Sequence, residues 1–232
     1  MLIPKTIHYI WLGREPMPPL MNEWRERWAF LHPSWEIKIW NETDRLDQLT
    51  DGNGTIKCQH STYLSKCPAL SKRSDVWRYN LLEQLGGLYL DTDFEPIKCI
   101  EEITFDKKAF AGKCQTKHSW TQEKPEGKIK TEVGCALIGT TPHHPWMKEL
   151  VDNIESCDPV EQLSLAFPYL TKITKHHPEV HLFESDVFYP IRWDQLRENS
   201  QYKQPVPKST YAVHQWSSNW FPNGLKLLRT KS

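Results

Sequence analysis

Two carboxylates stand at the end of an apolar run in residues 85–96, which read LGGLYLDTDFEP. In an extended strand, residues two apart project to the same side, so Asp91 and Asp93 are predicted to lie together while Thr92 points away. Adjacent negative charges repel unless water or a cation screens them, and Mg²⁺ and Mn²⁺ prefer carboxylate oxygen. The pair is therefore either a divalent-metal site or a hydrated strand end, because a short D-x-D motif also occurs by chance.

A charged helix face precedes these acids. Residues 69–85 are predicted to form a helix that the following glycine pair ends. Asp75 and Arg78 are three positions apart and so share one face of this helix. Because the helix runs directly into the strand that carries the two aspartates, all four side chains are expected at one sheet edge, where open α/β sheets bind ligands. The alternative is that Asp75 and Arg78 form only a solvated ion pair.

The remaining pattern predicts a single α/β domain, since strands and helices alternate and 232 residues fit one domain better than two. We predict a polar loop over residues 41–55, with a short helix within it as the alternative, and a second polar loop over residues 113–132. The other predicted elements are strands at 6–13, 35–40, 108–112, 134–139 and 182–190, and helices at 21–32 and 143–157.

Charge and composition limit the possible functions. Lys plus Arg and Asp plus Glu both number 29, so the net charge is zero and a broad nucleic-acid-binding surface is not expected. No apolar segment approaches the ~20 residues that cross a bilayer, so a cytoplasmic protein is expected. The six cysteines lack zinc-type spacing and are expected to be free thiols, with a Cys58–Cys67 disulfide as the alternative.

Three blocks in order, IPKTIHYIWLG, SKRSDVWRYNLLEQLGGLYLDTDFEPIK and VHQWSSNW, resemble glycosyltransferase family 32. This family of DXD-containing sugar transferases includes bacterial capsular polysaccharide enzymes and fungal initiating mannosyltransferases. The central block is also similar to the core of the large glucosylating toxins. The resemblance implies a GT-A fold, a Rossmann-like nucleotide-sugar-binding domain with a mixed central sheet. Residues 1–98 would bind the donor, and 99–232 would bind the acceptor and supply a C-terminal lid from about His214.

The resemblance also implies a divalent metal, Mn²⁺ or Mg²⁺, and a role for each matched residue. Asp93 would bind the ion directly, and Asp91 would hold the donor ribose and a metal-bound water. His214 would complete the metal or phosphate shell, or alternatively be a hydrogen-bonded structural histidine. Asp75 would bind sugar hydroxyls, and Arg78 would hold the sugar or phosphate.

Four further residues are implied to contact the donor. Tyr89 would line the sugar pocket, or alternatively pack in the sheet with its hydroxyl satisfied. Trp11 would lie against the nucleobase, or alternatively be a core residue. Ser218 and Trp220 would close over the diphosphate, whereas the alternative is that the tail tryptophans complete the core. Cys135 stands where the family often has Asn, so the sugar recognised is expected to differ.

The activity implied is a metal-dependent, retaining transfer of a sugar from a nucleotide sugar to a glycan or other hydroxyl acceptor. A UDP-sugar is favoured over GDP-mannose, and peripheral contact with the inner membrane surface is compatible with this activity. Two other classes remain open. An aspartate-nucleophile phosphatase also places D-x-D after an apolar strand, and a non-catalytic carbohydrate-binding module would use the aromatic residues, including eleven tryptophans, as platforms.

Overall fold

The fold is built on one mixed β-sheet with helices packed against it. The computed structural model describes residues 2–116, 129–161, 164–193, 195 and 205–217. The strands are β1 (Thr6–Trp11), β2 (Glu36–Glu42), β3 (Gln48–Thr50), β4 (Thr55–Lys57), β5 (Gly87–Leu90), β6 (Phe94–Pro96), β7 (Ala109–Thr116), β8 (Lys130–Thr140), β9 (His181–Phe183) and β10 (Ala212–His214). The helices are α1 (Pro19–Leu31), α2 (Ser61–Lys66), α3 (Leu70–Leu85), α4 (Glu101–Thr104), α5 (Pro145–Asp152), α6 (Phe167–Thr174) and α7 (Ser185–Phe188), with a 3₁₀ turn at Ile154–Ser156.

The main sheet has the strand order β4-β3-β2-β1-β5-β8-β7-β9 within the described residues. The strands β2, β1 and β5 run parallel at its centre, and β8 is antiparallel to both β5 and β7. The carboxyl ends of β1 and β5 therefore meet at one edge, with His8 paired beside Tyr89. Ligands of open α/β sheets bind beyond such ends, so this edge is the expected site.

A second, two-stranded sheet completes that edge. The short strand β6 follows β5 after a turn and pairs antiparallel with β10, which places His214 opposite Phe94. The indole nitrogen of Trp28 in α1 donates to the Phe94 carbonyl at 2.9 Å. The pairing of β10 with β6 therefore places residues 212–214 directly beside the D-x-D motif.

Helix α3 is buried over most of its surface, which explains why its charged residues are not solvated. Ten of its sixteen residues are buried, and they include Asp75 and Arg78. The helix ends at Gly86 (φ 63°), and Gly87 (φ 92°) begins β5 in the same left-handed region of φ. A Cβ on Gly86 would lie 2.5 Å from the Pro142 nitrogen, so glycine is required at this turn.

The predicted elements are confirmed at β1, α1, β2, α3, β7, β8 and α5, with ends shifted by a few residues. Two predictions are wrong. Part of the loop predicted over residues 41–55 forms the β3–β4 hairpin, and the strand predicted over 182–190 stops at Phe183 and gives way to α7. Among the described residues, no helix combines the length and apolarity needed to span a membrane.

Candidate active site at the D-x-D edge

The two aspartates converge through a turn, which corrects the predicted strand geometry. Strand β5 ends at Leu90, and the amide of Phe94 donates to the Asp91 carbonyl at 3.2 Å to close a four-residue turn. The amide of Asp91 itself donates to the Ala136 carbonyl of β8 at 2.8 Å. The proximity of Asp91 and Asp93 therefore comes from this turn, and the alternation of a strand does not explain it.

One oxygen of Asp91 is held by the protein. The Tyr89 hydroxyl donates to Asp91 Oδ1 at 2.6 Å, and Arg78 Nη2 lies 3.4 Å from the same oxygen. The other oxygen, Oδ2, lies 3.9 Å from His214 Nε2. Burial raises the pKa of Asp91 above its ordinary value, Arg78 opposes that rise, and Asp93 adds to it.

Asp93 is held by the segment that follows β10. Its Oδ1 lies 3.1 Å from His214 Nε2, and its Oδ2 accepts from both the amide and the hydroxyl of Ser217 at 2.8 Å. Burial alone would raise the pKa of Asp93, but the charge of His214 and the hydrogen bonds from His214 and Ser217 outweigh it and lower the pKa to about 2. Asp93 is therefore ionised at neutral pH.

These contacts leave three ligand atoms facing one point. One atom each from Asp91, Asp93 and His214 lies within 4.8 Å of the other two, and among the described residues this is the cluster that fits a metal. An ion about 2.1 Å from each ligand holds neighbouring ligand atoms about 3 to 4 Å apart. The 3.1 Å and 3.9 Å separations from His214 Nε2 agree with that spacing. The donor set fits a divalent ion.

Asp75 and Arg78 form a buried pair beside this cluster, so the alternative of a solvated ion pair is wrong. Arg78 is 3% exposed, and its Nη2 lies 2.8 Å from Asp75 Oδ1. Its Nη1 donates to the Cys135 carbonyl at 2.6 Å, and its Cζ lies 4.8 Å from the centre of the Tyr89 ring. Burial raises the pKa of Asp75 to about 6, and Arg78 limits that rise. Arg78 thus bridges Asp75 and Asp91.

Trp11 lies outside the core, at the same edge of the sheet. It is half-buried, donates its indole N–H to the Glu15 carbonyl at 2.7 Å, and lines a cavity of about 460 Å³ with Asn41 and Arg25. Trp11 and Asn41 come from the carboxyl ends of the parallel strands β1 and β2. A planar aromatic side chain therefore borders an open cavity one strand away from the aspartates.

The described part of the tail lies against the D-x-D motif. His214 and Ser217 are buried and hydrogen-bonded to Asp93, and a lid that starts near His214 stays a prediction. Ser218 and Trp220 lie outside the described residues. The sequence analysis assigned no role to Ser217, whose amide and hydroxyl both donate to Asp93 Oδ2.

The cysteines agree with the expected free thiols. All six are free, and both Cys58 and Cys67 are buried, so the alternative disulfide between them is not formed. The Cys135 side chain is also buried, and its backbone carbonyl is the group that accepts from Arg78.

Comparison with known proteins identifies the region that carries these residues. Residues 18–110 match the family described as "Glycosyltransferase sugar-binding region containing DXD motif". This part of the chain is similar to DXD-containing glycosyltransferase sugar-binding regions. The matched range includes Asp75, Arg78, Asp91 and Asp93 and ends before His214. The resemblance to DXD-containing sugar transferases is therefore confirmed.

Among curated proteins, the chain is similar to inositol phosphoceramide mannosyltransferase 3 of Schizosaccharomyces pombe, with 24% identity over 84% of this chain and 46% of that protein. It is also similar to an uncharacterized glycosyltransferase of Acanthamoeba polyphaga mimivirus, with 23% identity over 98% of this chain and 87% of that protein. The chain spans about half the length of the mannosyltransferases it matches.

A solved structure supports the fold. The chain is similar to PaToxG glycosyltransferase with a TM-score of 0.53 and 18% identity, over 76% of this chain and 70% of that one. Together with the mixed sheet, this likeness confirms the predicted GT-A fold.

Proposed function

We propose that this chain is a metal-dependent, retaining glycosyltransferase that moves a sugar from a nucleotide-sugar donor to a hydroxyl acceptor. The observation that carries the proposal is the convergence of Asp91, Asp93 and His214 beside the buried Asp75–Arg78 pair, inside a DXD sugar-binding region and a GT-A fold. A phosphatase and a non-catalytic carbohydrate module are less consistent with this fold and family match.

The metal would be held by one oxygen of Asp91, one oxygen of Asp93 and the Nε2 atom of His214. When bound, it supplies positive charge that stabilises the diphosphate as the donor sugar leaves. A set of two carboxylates and one imidazole favours Mn²⁺, because Mg²⁺ is held chiefly by oxygen whereas imidazole is a common ligand of transition metals. In this proposal His214 is a ligand and not only a structural histidine.

The donor would lie along the edge formed by β1 and β5. Trp11 borders the cavity in which a nucleobase would stack, and Asp75 would accept hydrogen bonds from sugar hydroxyls. Arg78 and Tyr89 are almost fully buried. Arg78 contacts Asp75 and Asp91, and Tyr89 contacts Asp91, so both would act chiefly by holding these carboxylates in place. Ser218 and Trp220 remain proposed contacts to the diphosphate.

Retention of configuration is proposed to occur by attack on the same face that the diphosphate leaves. The acceptor oxygen forms the new bond to the anomeric carbon, the bond to the diphosphate oxygen breaks, and the acceptor proton passes to the leaving phosphate. A covalent intermediate would require a free carboxylate beneath the sugar. Asp75, Asp91 and Asp93 are each already engaged, by Arg78, by Tyr89 and by Ser217 respectively.

The proposed donor rests on the family resemblance and on the names of relatives. We favour a UDP-sugar, and GDP-mannose is the next candidate because two relatives are named as inositol phosphoceramide mannosyltransferases. The acceptor is proposed to be a glycan or another hydroxyl-bearing molecule, with a phosphoinositol lipid headgroup included because of those same names.

A panel of UDP-sugars and GDP-mannose tests the proposal. The purified protein is incubated with each donor, Mn²⁺ and no acceptor, and release of UDP or GDP is measured, since water substitutes slowly for the acceptor. We expect one donor to be hydrolysed, with chelation by EDTA stopping the reaction and Mn²⁺ restoring it. Equal release with and without EDTA would contradict metal dependence, and phosphate release from simple phosphoesters would support the phosphatase instead.

A further inference from the structure

We propose that Ser217 is a positioning residue that fixes the orientation of the Asp93 carboxylate, with one oxygen directed at the metal, and thereby sets metal affinity. This inference rests on the proposed function, because it concerns the same metal centre. It assigns a role to a residue outside the matched family range of 18–110.

Two donors from Ser217 converge on a single oxygen. The amide and the hydroxyl of Ser217 each lie 2.8 Å from Asp93 Oδ2. Ser217 is 2% exposed and Asp93 is 7% exposed, so bulk water competes weakly for these hydrogen bonds. Hydrogen bonds to a charged group are stronger than those between neutral groups, so the carboxylate is held against rotation about its Cβ–Cγ bond. The oxygen left facing His214 Nε2 is Oδ1.

Asp91 has a matching arrangement. Its Oδ1 accepts from the Tyr89 hydroxyl at 2.6 Å, and its Oδ2 faces His214 Nε2. Each aspartate therefore has one oxygen bound to the protein and one directed at the same imidazole nitrogen. Outer-shell partners that orient ligands in this way affect metal affinity about 10–100-fold when they are removed.

The backbone before Ser217 explains how both of its donors reach one oxygen. Trp216 has φ 49°, a region that non-glycine residues seldom adopt. Its indole N–H donates to the Ile191 carbonyl at 2.8 Å, and its ring lies edge-on to His214 with centroids 4.2 Å apart. The Gln215 amide also donates to the Asp93 carbonyl at 3.0 Å. An unfavourable backbone conformation of this kind persists where surrounding contacts hold it, and such conformations are frequent at functional sites.

The test is a titration of the full chain with Mn²⁺, with free Mn²⁺ measured by electron paramagnetic resonance, both alone and with UDP or GDP present. Four variants are compared with the wild type: Ser217→Ala, Ser217→Thr, Asp93→Asn and Ser209→Ala. Ser209 is a matched control because its hydroxyl donates to a different aspartate, Asp186, far along the chain from the D-x-D motif. Circular dichroism verifies that each variant is folded.

We expect Ser217→Ala to raise the Mn²⁺ dissociation constant about 10–100-fold, while Ser217→Thr, which keeps the hydroxyl, and Ser209→Ala bind as the wild type does. Wild-type affinity in Ser217→Ala, combined with lost affinity in Asp93→Asn, would overturn the role of Ser217 and leave the metal site standing. Equal binding by the wild type and Asp93→Asn would instead reject the metal centre and this inference together.

Discussion

The carboxylates of the site differ in pKa because their partners differ. Asp93 has a pKa lowered to about 2 by His214 and Ser217 against the effect of burial, whereas burial raises the pKa of Asp75 to about 6. Asp93 therefore carries its charge across the neutral range and suits a metal ligand. Asp75 stays ionised at neutral pH only with the help of nearby cations, which suits a group that accepts hydrogen bonds from hydroxyls.

Replacing Asp93 with Asn removes one negative charge at nearly constant volume. Asp93→Asn is expected to lower Mn²⁺-dependent donor turnover by more than about 100-fold, since loss of a ligand should exceed the ~10–100-fold cost of an outer-shell change. The matched control is Asp106→Asn, an exposed aspartate paired with Lys107. Turnover close to wild type in the folded Asp93→Asn protein would show that Asp93 is not a ligand.

Arg78 is predicted to support both stability and turnover, because it holds Asp75 and Asp91 in place. Arg78→Ala leaves Asp75 buried without its cation, which typically costs about 3–5 kcal/mol of unfolding free energy. Arg78→Lys retains the charge but loses the planar guanidinium that contacts Asp75, Asp91 and the Cys135 carbonyl together. The lysine variant should therefore be more stable than Arg78→Ala. Its donor turnover should still be lower than that of the wild type. Urea denaturation and donor turnover measure both effects.

Arg45→Ala provides the control for Arg78, because Arg45 pairs with Asp47 on the exposed surface and should change little. If Arg78→Ala unfolds at the same urea concentration as the wild type, the buried pair does not exist as described. If Arg78→Lys is fully active, the fork geometry is not required.

The sequence predicted most of the site, because both residue spacing and the family resemblance depend on which side chains are present. Asp75, Arg78, Asp91, Asp93 and His214 were all expected to converge, and the structure brings them together. The part that was not predicted depends on backbone conformation. Residue types alone do not predict the turn after Leu90 or the φ of Trp216. The contact of Ser217 with Asp93 depends on that backbone and was therefore not predicted.

At the scale of elements, the junction of α3 and β5 positions the site against β1. His8 Nε2 lies 3.0 Å from the Gly86 carbonyl, and the Trp40 indole N–H donates to His8 Nδ1 at 3.0 Å. One ring nitrogen must therefore donate and the other accept, which only a neutral imidazole can do. His8 thus connects β1, β2 and the end of α3 in its uncharged form.

The neutral state of His8 predicts a loss of stability in acid. Burial lowers its pKa from the ordinary 6.5 to about 4, so between these values the unfolded chain binds a proton that the folded protein does not. This contribution is fully present above pH 6.5 and is lost as the pH falls to about 4. At about 1.4 kcal/mol per pH unit, the unfolding free energy should decrease by about 3 kcal/mol across this window.

His8→Gln is the comparison variant, because an amide can still donate to Gly86 and accept from Trp40 but does not titrate. Urea denaturation at several pH values measures both proteins, and the wild type is expected to lose more stability than the variant between pH 6.5 and 4. An identical pH dependence in the two proteins would contradict a neutral, buried His8.

Elements were predictable where local signals were strong. The glycine pair ended α3 as expected, and the apolar runs of β1 and β8 were recognised as strands. The β3–β4 hairpin was missed because its strands have three residues each and its polar residues resemble a loop. The segment after Phe183 was predicted as a strand, but Phe188 is buried as part of α7, and tertiary contacts decide between the two structures.

At the scale of the whole molecule, the site is assembled from segments far apart in sequence. The family match ends at residue 110, but His214 in β10 and Ser217 just after it contact Asp93 directly. The candidate metal centre therefore combines residues of the D-x-D region with residues of the tail.

Truncation separates the contribution of residues 212–217 from that of residues 218–232. A chain ending after Ser217 keeps the three ligands and should bind Mn²⁺ as the full chain does, but with weaker donor binding because Ser218 and Trp220 are removed. A chain ending before Ala212 lacks His214 and Ser217 and should lose Mn²⁺ binding. Calorimetric titration measures both affinities, and equal Mn²⁺ binding by the two truncated chains would contradict the role of β10 in the metal centre.

The most direct test of the account is to locate the ion. Crystals of the protein grown with Mn²⁺ and the nucleoside diphosphate of its donor are measured at a wavelength where manganese scatters anomalously. The account predicts one strong anomalous peak about 2.0–2.3 Å from Asp91 Oδ2, Asp93 Oδ1 and His214 Nε2, in contact with the diphosphate. A bound nucleotide without a peak at these three atoms, or a manganese peak held by other residues, would contradict it.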